Sequence, residues 1–247
     1  MKKRHLVYAI ALIVGMGACA ASAKKQAEAK PDVWKSYNVG TVLFEDKASE
    51  TKGSDIYHRI IPDAESYIKE QARTVLATLY NSPEDSITPV NKIHYTLEDI
   101  EGISAKGGGN GDVTIFYSTR HIEKSFAKND TAKLFFETRG VLLHELTHAY
   151  QLEPQGIGSY GTNRVFWAFI EGMADAVRVA NGGFDGPNAR PKGGNYMDGY
   201  RTAGYFFVWL RDNKDPEFLR KFNRSTLEVI PWSFDGAIKH ILGTEYS

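Results

Sequence analysis

A single cysteine, Cys19, occurs in the 247 residues of this chain. One thiol cannot close an intramolecular disulfide, so the fold has to hold by packing even in an oxidising compartment. It also means that any bound metal must sit on nitrogen and oxygen ligands. Long apolar runs are missing too: the stretch from Leu6 to Val14 is too short to span a bilayer. Neither sign of charge is in excess, with 30 basic and 30 acidic residues, and removing Lys2, Lys3 and Arg4 leaves 27 against 30. That balance argues against a nucleic acid or an anionic membrane held by charge. The glycine cluster Gly107-Gly108-Gly109-Asn110-Gly111 is not closed by Gly-Lys-Ser/Thr, so it reads as a hairpin tip rather than a phosphate loop.

What is present is a globular composition, 42% hydrophobic and 24% charged, sufficient for one sizeable core. Its first 23 residues follow the order of an export signal: Lys2, Lys3 and Arg4, then the apolar run, then small residues to Ala23. Two processing routes are open. Ala21-Ser22-Ala23 offers ordinary cleavage before Lys24, whereas Gly17-Ala18-Cys19 has the end of a lipoprotein signal, which would leave Cys19 lipidated. Either route gives an exported product, periplasmic, extracellular or lipid-anchored, with no transmembrane span. Residues 24–36 read as a tether and 37–247 as one domain.

Along that domain the pattern changes from mixed to helical. Tyr37 to Phe44, Lys92 to Leu97 and Val113 to Tyr117 are β-prone, and Asp46 to Ser54 reads as a polar loop. Pro62-Asp63 opens a helix to Tyr80, with Ile68, Ala72, Val75 and Leu79 at helical spacing. A longer helix runs from Asp130, placed as its cap, to Gln151. Another spans Val165 to Ala180 and ends at Asn181-Gly182-Gly183. Residues 182–195 form a loop, and helices follow near 198–212, 216–224 and 233–242. The expected class is α+β, with a mixed sheet and the site helix first and a helical lobe after.

The chemistry concentrates on His144-Glu145-Leu146-Thr147-His148. Four residues on a helix turn about 400°, so the two imidazoles stack and can chelate one ion. Glu145, offset by about 100°, stands beside that ion, where a general base would take a proton from water. Two histidines are not a closed site, and a tetrahedral centre needs a third ligand. Glu171-Gly172-Met173-Ala174-Asp175 puts two carboxylates one turn apart on the next helix. Glu171 then completes a one-ion zinc site, and Asp175 accepts a hydrogen bond from a ligand imidazole. Without the histidines the two acids would read as a solvated helix face.

Metal helix, downstream Glu and Asp four residues later resemble the gluzincin metallopeptidases. Gly140 to Gln151, Ile170 to Arg178 and Asp198-Gly199-Tyr200 are similar, together, to the plant basic secretory protein family and its bacterial relatives, from about Tyr37 onward. The resemblance implies a secreted zincin fold and a zinc peptidase acting on peptide or protein substrates, linked in plants to defence. Two departures stand out. The chain is not basic, and it stops at Ser247 where members of the family usually continue into another helix, as a truncated or shortened terminus would.

Other residues carry weaker expectations. Tyr200 is a candidate donor to the developing oxyanion, or else an aromatic packed at a helix start. Ile115, Phe116 and Tyr117 belong either to an edge strand against which a peptide could lie or to an interior strand. His58, His94, His121 and His240 have no partner at chelating spacing, and Tyr205, Phe206, Phe207 and Trp209 read as core first. Two rivals to a peptidase stay open: a non-catalytic surface protein that keeps zinc and binds peptide or glycan, and a hydrolase of a related bond in glycopeptides or cell-wall peptides.

Overall fold

Four strands in one mixed sheet and eight α-helices are formed by the residues that the computed structural model describes, 32–186 and 188–244. Cys19, the signal-like segment and most of the tether lie outside the described residues. The chain from Val33 onward makes one compact unit, and no described helix is long and apolar enough to cross a membrane.

Strand β1 (Thr41–Asp46) pairs in parallel with β2 (Lys92–Glu98), and β2 in parallel with a later strand, β4 (Asp112–Ser118). Between β2 and β4 in sequence, the chain makes β3 (Ser104–Gly109), which turns back antiparallel to β4 and takes the outer position. The order is β1-β2-β4-β3. Ile93, Tyr95 and Leu97 of β2 and Val113, Ile115 and Tyr117 of β4 alternate into the core, as period-two strands with one buried face should. Helix α1 (Lys52–Ile60) and helix α2 (Ala64–Leu79) connect β1 to β2, and α2 sends Ile68, Ala72, Val75, Leu76 and Leu79 inward. Asp63 caps α2 by accepting from the Ser66 N–H at 3.0 Å.

The expectation of an edge position for Ile115, Phe116 and Tyr117 is corrected here. Strand β4 has neighbours on both sides, and the edge is β3. Gly107, Gly108 and Gly109, read as part of the hairpin tip, belong to β3 itself. An outer strand tolerates such poor strand formers because only one side must pair, and Gly108, at φ +85°, takes a conformation that a side chain would resist. Two short helices were also unread: α1 begins inside the stretch taken as loop, and α3 (Thr119–Ser125) follows β4 without a break.

Helix α4 (Thr131–Tyr150) starts at its Asp130 cap, and α5 (Arg164–Ala180) starts at Asn163, whose side chain accepts from the N–H groups of Val165 and Phe166. Helices α6 (Tyr200–Asn213), α7 (Phe218–Glu228) and α8 (Phe234–Leu242) complete the helical part. Phe169, Phe207, Phe222, Trp232 and Phe234 pack ring against ring between these helices, for example Phe169 on Trp232 at 4.7 Å and Phe207 on Phe222 at 4.9 Å. Glycines bring α5 and α6 into close contact. A Cβ on Gly172 would lie 2.6 Å from that of Ala203, and one on Gly204 would lie 2.8 Å from the Ala176 nitrogen. This crossing fixes the turn of α5 that carries Glu171 and Asp175.

Candidate metal centre

Helix α4 points His144 and His148 to one side, and α5 crosses it so that Glu171 meets both. The Nε2 atoms of the histidines are 3.1 Å apart, and Glu171 Oε2 lies 3.3 Å from that of His144 and 3.7 Å from that of His148. One ligand atom from each of the three residues lies within 4.8 Å of the others, a group able to hold a metal ion. Both imidazoles are mostly buried, and the Glu171 side chain is only 5% exposed. On the far side of His144, Nδ1 faces Asp175 Oδ1 at 2.7 Å, so a neutral ring donates there and keeps its Nε2 lone pair free.

Burial opposes a charge on His144, yet Asp175 and Glu171 outweigh it and lift its pKa to about 10 in the metal-free protein. The neighbouring His148, buried and beside that charge, is pushed down to about 3. Glu171 is held below its usual range: burial works against ionisation, but contacts with His144, His148 and Tyr160 prevail. Glu145, also buried, is pushed up, chiefly by desolvation, while His144, Ser104 and the Lys106 backbone partly restrain the rise. A carboxylate raised toward neutrality is what a proton carrier at working pH requires.

These groups line a cleft of about 360 Å³ walled by β3, α4, α5 and the start of α6. Ser104, Ala105 and Lys106 form the β3 rim, and Phe166 and Ile170 supply apolar surface. Tyr200 is half exposed at the rim, its ring stacked on His144 at 6.2 Å and 14° and edge-on to Trp167 at 5.3 Å. Its φ of 41° is left-handed, a conformation that costs a residue with a side chain about 1–3 kcal/mol. Gly199 before it is also left-handed, and a Cβ there would lie 2.5 Å from the Trp167 ring.

Tyr160 is a site residue that sequence reasoning missed. Its hydroxyl donates to Glu171 Oε1 at 2.6 Å, which leaves Oε2 for the histidines. It sits in the connection between α4 and α5, where no periodicity marks it, so nothing in the residue pattern singles it out. Gln151 also lines the cleft and meets His148 Nδ1. The remaining described histidines stand elsewhere, each beside a carboxylate: His58 by Asp46, His94 by Glu45, His121 by Glu137 and His240 by Glu228. Of the aromatic run, Phe207 is core, and none of Tyr205, Phe206, Phe207 and Trp209 lines this cleft. Ile115, Phe116 and Tyr117 do not reach it either.

No curated protein and no solved structure matches the chain. A family model does, that of BSP, described as a peptidase of plants and bacteria, over residues 39–247, which takes in all four strands, all eight helices and the cleft. This is the family to which the motifs of α4 and α5 pointed, and the chain belongs to it.

Proposed function

We propose that the chain is an exported zinc-dependent peptidase of zincin type, its domain beginning near Tyr37 and its one zinc ion held by His144 Nε2, His148 Nε2 and Glu171. The observation that carries this reading is the spacing of the three ligand atoms. A tetrahedral ion with bonds of about 2.0–2.1 Å holds its ligands roughly 3.3 Å apart, and these stand at 3.1, 3.3 and 3.7 Å. Two imidazoles and a carboxylate, with no thiolate, are a donor set suited to catalytic zinc, and they leave a position open to the cleft.

Zinc bound there would supply a Lewis acid for a substrate carbonyl and would lower the pKa of water toward neutrality. Glu145 takes the proton of the attacking water and returns it to the leaving amine, the task for which its raised pKa suits it. Asp175 holds His144 in the ligating tautomer, and Tyr160 steadies the carboxylate of Glu171. Tyr200, over His144 at the rim, donates its hydroxyl to the oxyanion as the carbonyl becomes tetrahedral. An extended peptide lies along the outer edge of β3, which no other strand of the sheet covers. Export follows from the order of residues 1–23, with Cys19 as the anchor if that signal is of the lipoprotein kind.

Glu145→Gln tests the assignment. It should retain one zinc per chain by metal analysis while peptide hydrolysis falls by orders of magnitude. A wild-type chain that binds no zinc, or a variant that still cleaves, refutes it.

A further inference from the structure

Resting on the reading of His144, His148 and Glu171 as a metal centre, we propose that Gln151 is the positioning residue of His148, its amide oxygen accepting the imidazole Nδ1–H and so turning the Nε2 lone pair toward the ion. The two ligand histidines are held unlike one another. His144 Nδ1 faces a carboxylate, Asp175, at 2.7 Å, whereas His148 Nδ1 faces the Gln151 amide, with the nitrogen Nε2 at 2.9 Å.

With an N–H of Gln151 donating to it, Nδ1 of His148 acts as acceptor, and a neutral ring then carries its proton on Nε2. That proton would be directed at His144 Nε2, 3.1 Å away, and the ring would offer no lone pair to an ion. Gln151 Oε1, meanwhile, is buried and has no hydrogen-bond partner. A half-turn about the last side-chain bond exchanges the two amide atoms with almost no change of shape. It brings Oε1 onto Nδ1, which then carries the proton, and Nε2 of His148 is free to ligate.

The backbone of Gln151 is held in place: its main-chain N–H donates to the Thr147 carbonyl at 2.8 Å, its main-chain carbonyl accepts from Thr88 Oγ1 at 3.2 Å, and the residue is 4% exposed. A carboxylate at this position would offer the same acceptor to the Nδ1–H, and an aliphatic side chain none.

Two variants of the full chain test this, Gln151→Leu and Gln151→Glu, each assayed for zinc affinity by competition with a chromophoric chelator. The visible spectrum of the cobalt-substituted protein and thermal unfolding of the metal-free protein complete the set. Loss of a group that orients a ligand should weaken binding ten- to a hundredfold, so the Leu variant should fall by that factor with an altered cobalt spectrum. The Glu variant, which keeps the acceptor, should bind at least as tightly as wild type. Wild-type affinity and spectrum in the Leu variant overturn the proposal. So does a Glu variant as weak as Leu, which would make the side chain mere packing. If the Leu variant fails to fold, the Glu variant decides against wild type by the same criterion. A wild-type chain that takes up neither zinc nor cobalt overturns the metal centre itself, before any substitution is made.

Discussion

Asp175→Asn keeps the shape of a buried side chain and removes its charge, so it isolates what the carboxylate does for His144. The bond lost as a charged contact is 2.7 Å long and 4% exposed at its acid partner. Weakening such support should raise the zinc dissociation constant ten- to a hundredfold. At free zinc near 1,000 times the wild-type constant, binding stabilises the fold by about 4.1 kcal/mol, and the variant at that concentration keeps only about 1.4–2.7 kcal/mol. The zinc-dependent rise in Tm should therefore shrink by about one third to two thirds. A second signature appears without metal. Burial opposes the charge of His144, but Asp175 and Glu171 lift its pKa from the usual 6.5 to about 10 in the fold. Its contribution is therefore fully present below pH 6.5 and is lost as pH rises through about 10. With Asn at position 175 the folded pKa drops toward the unfolded one, so this decline of metal-free stability between pH 6.5 and 10 should flatten. Calorimetry with and without zinc, over that pH range, reads both effects. An undiminished zinc-dependent rise together with an unaltered pH slope would refute the role given to Asp175.

Tyr160→Phe removes the donor to Glu171 Oε1 and, at a half-exposed site, should cost about 1 kcal/mol of metal binding; unchanged affinity in a chelator competition would make that contact incidental. Tyr200→Phe should lower kcat by roughly 10²–10³-fold with zinc content intact, and undiminished turnover removes Tyr200 from the mechanism. Gly204→Ala forces a methyl onto the Asp175 and Ala176 backbone and should cost about 1–3 kcal/mol, visible as a lower Tm of the metal-free protein; an unshifted Tm would show that the α5–α6 crossing yields.

The cluster of His144, His148 and Glu171 was legible because its information is local. His144, Glu145 and His148 occupy one helix whose cap, Asp130, and periodicity are plain, and Glu171 and Asp175 occupy another that ends at Asn181-Gly182. Two such helices need only cross for the site to form. What could not be read is set by pairing at a distance. The Val113 to Tyr117 run has strong strand character whether it lies inside or at an edge, and only β3 returning antiparallel decides the matter. That return uses Gly107, Gly108 and Gly109, which locally favour a turn, so pairing with β4 overrides their propensity. Tyr160 escaped for a similar reason, since a loop residue acquires meaning only from what the fold brings to its hydroxyl.

The crossing of α5 with α6 has a consequence for how finely the centre can be tuned. Gly172 and Gly204 leave no room for a methyl at the contact, and the atoms they meet include the Ala203 methyl and the backbone of Asp175. Tyr200, which overhangs His144, is the first residue of α6. The helix that presents Tyr200 to the cleft therefore also packs on Asp175, the partner of His144 Nδ1. A shift of α6 along α5 would move the rim and the support of His144 together, coupling substrate contact to metal geometry through packing that resists small deformation. Loop residue Tyr160 and helix-end residue Gln151 reach the other two ligands from elements outside this crossing. Each member of the cluster thus has its own support, and perturbing one should leave the other two nearly in place.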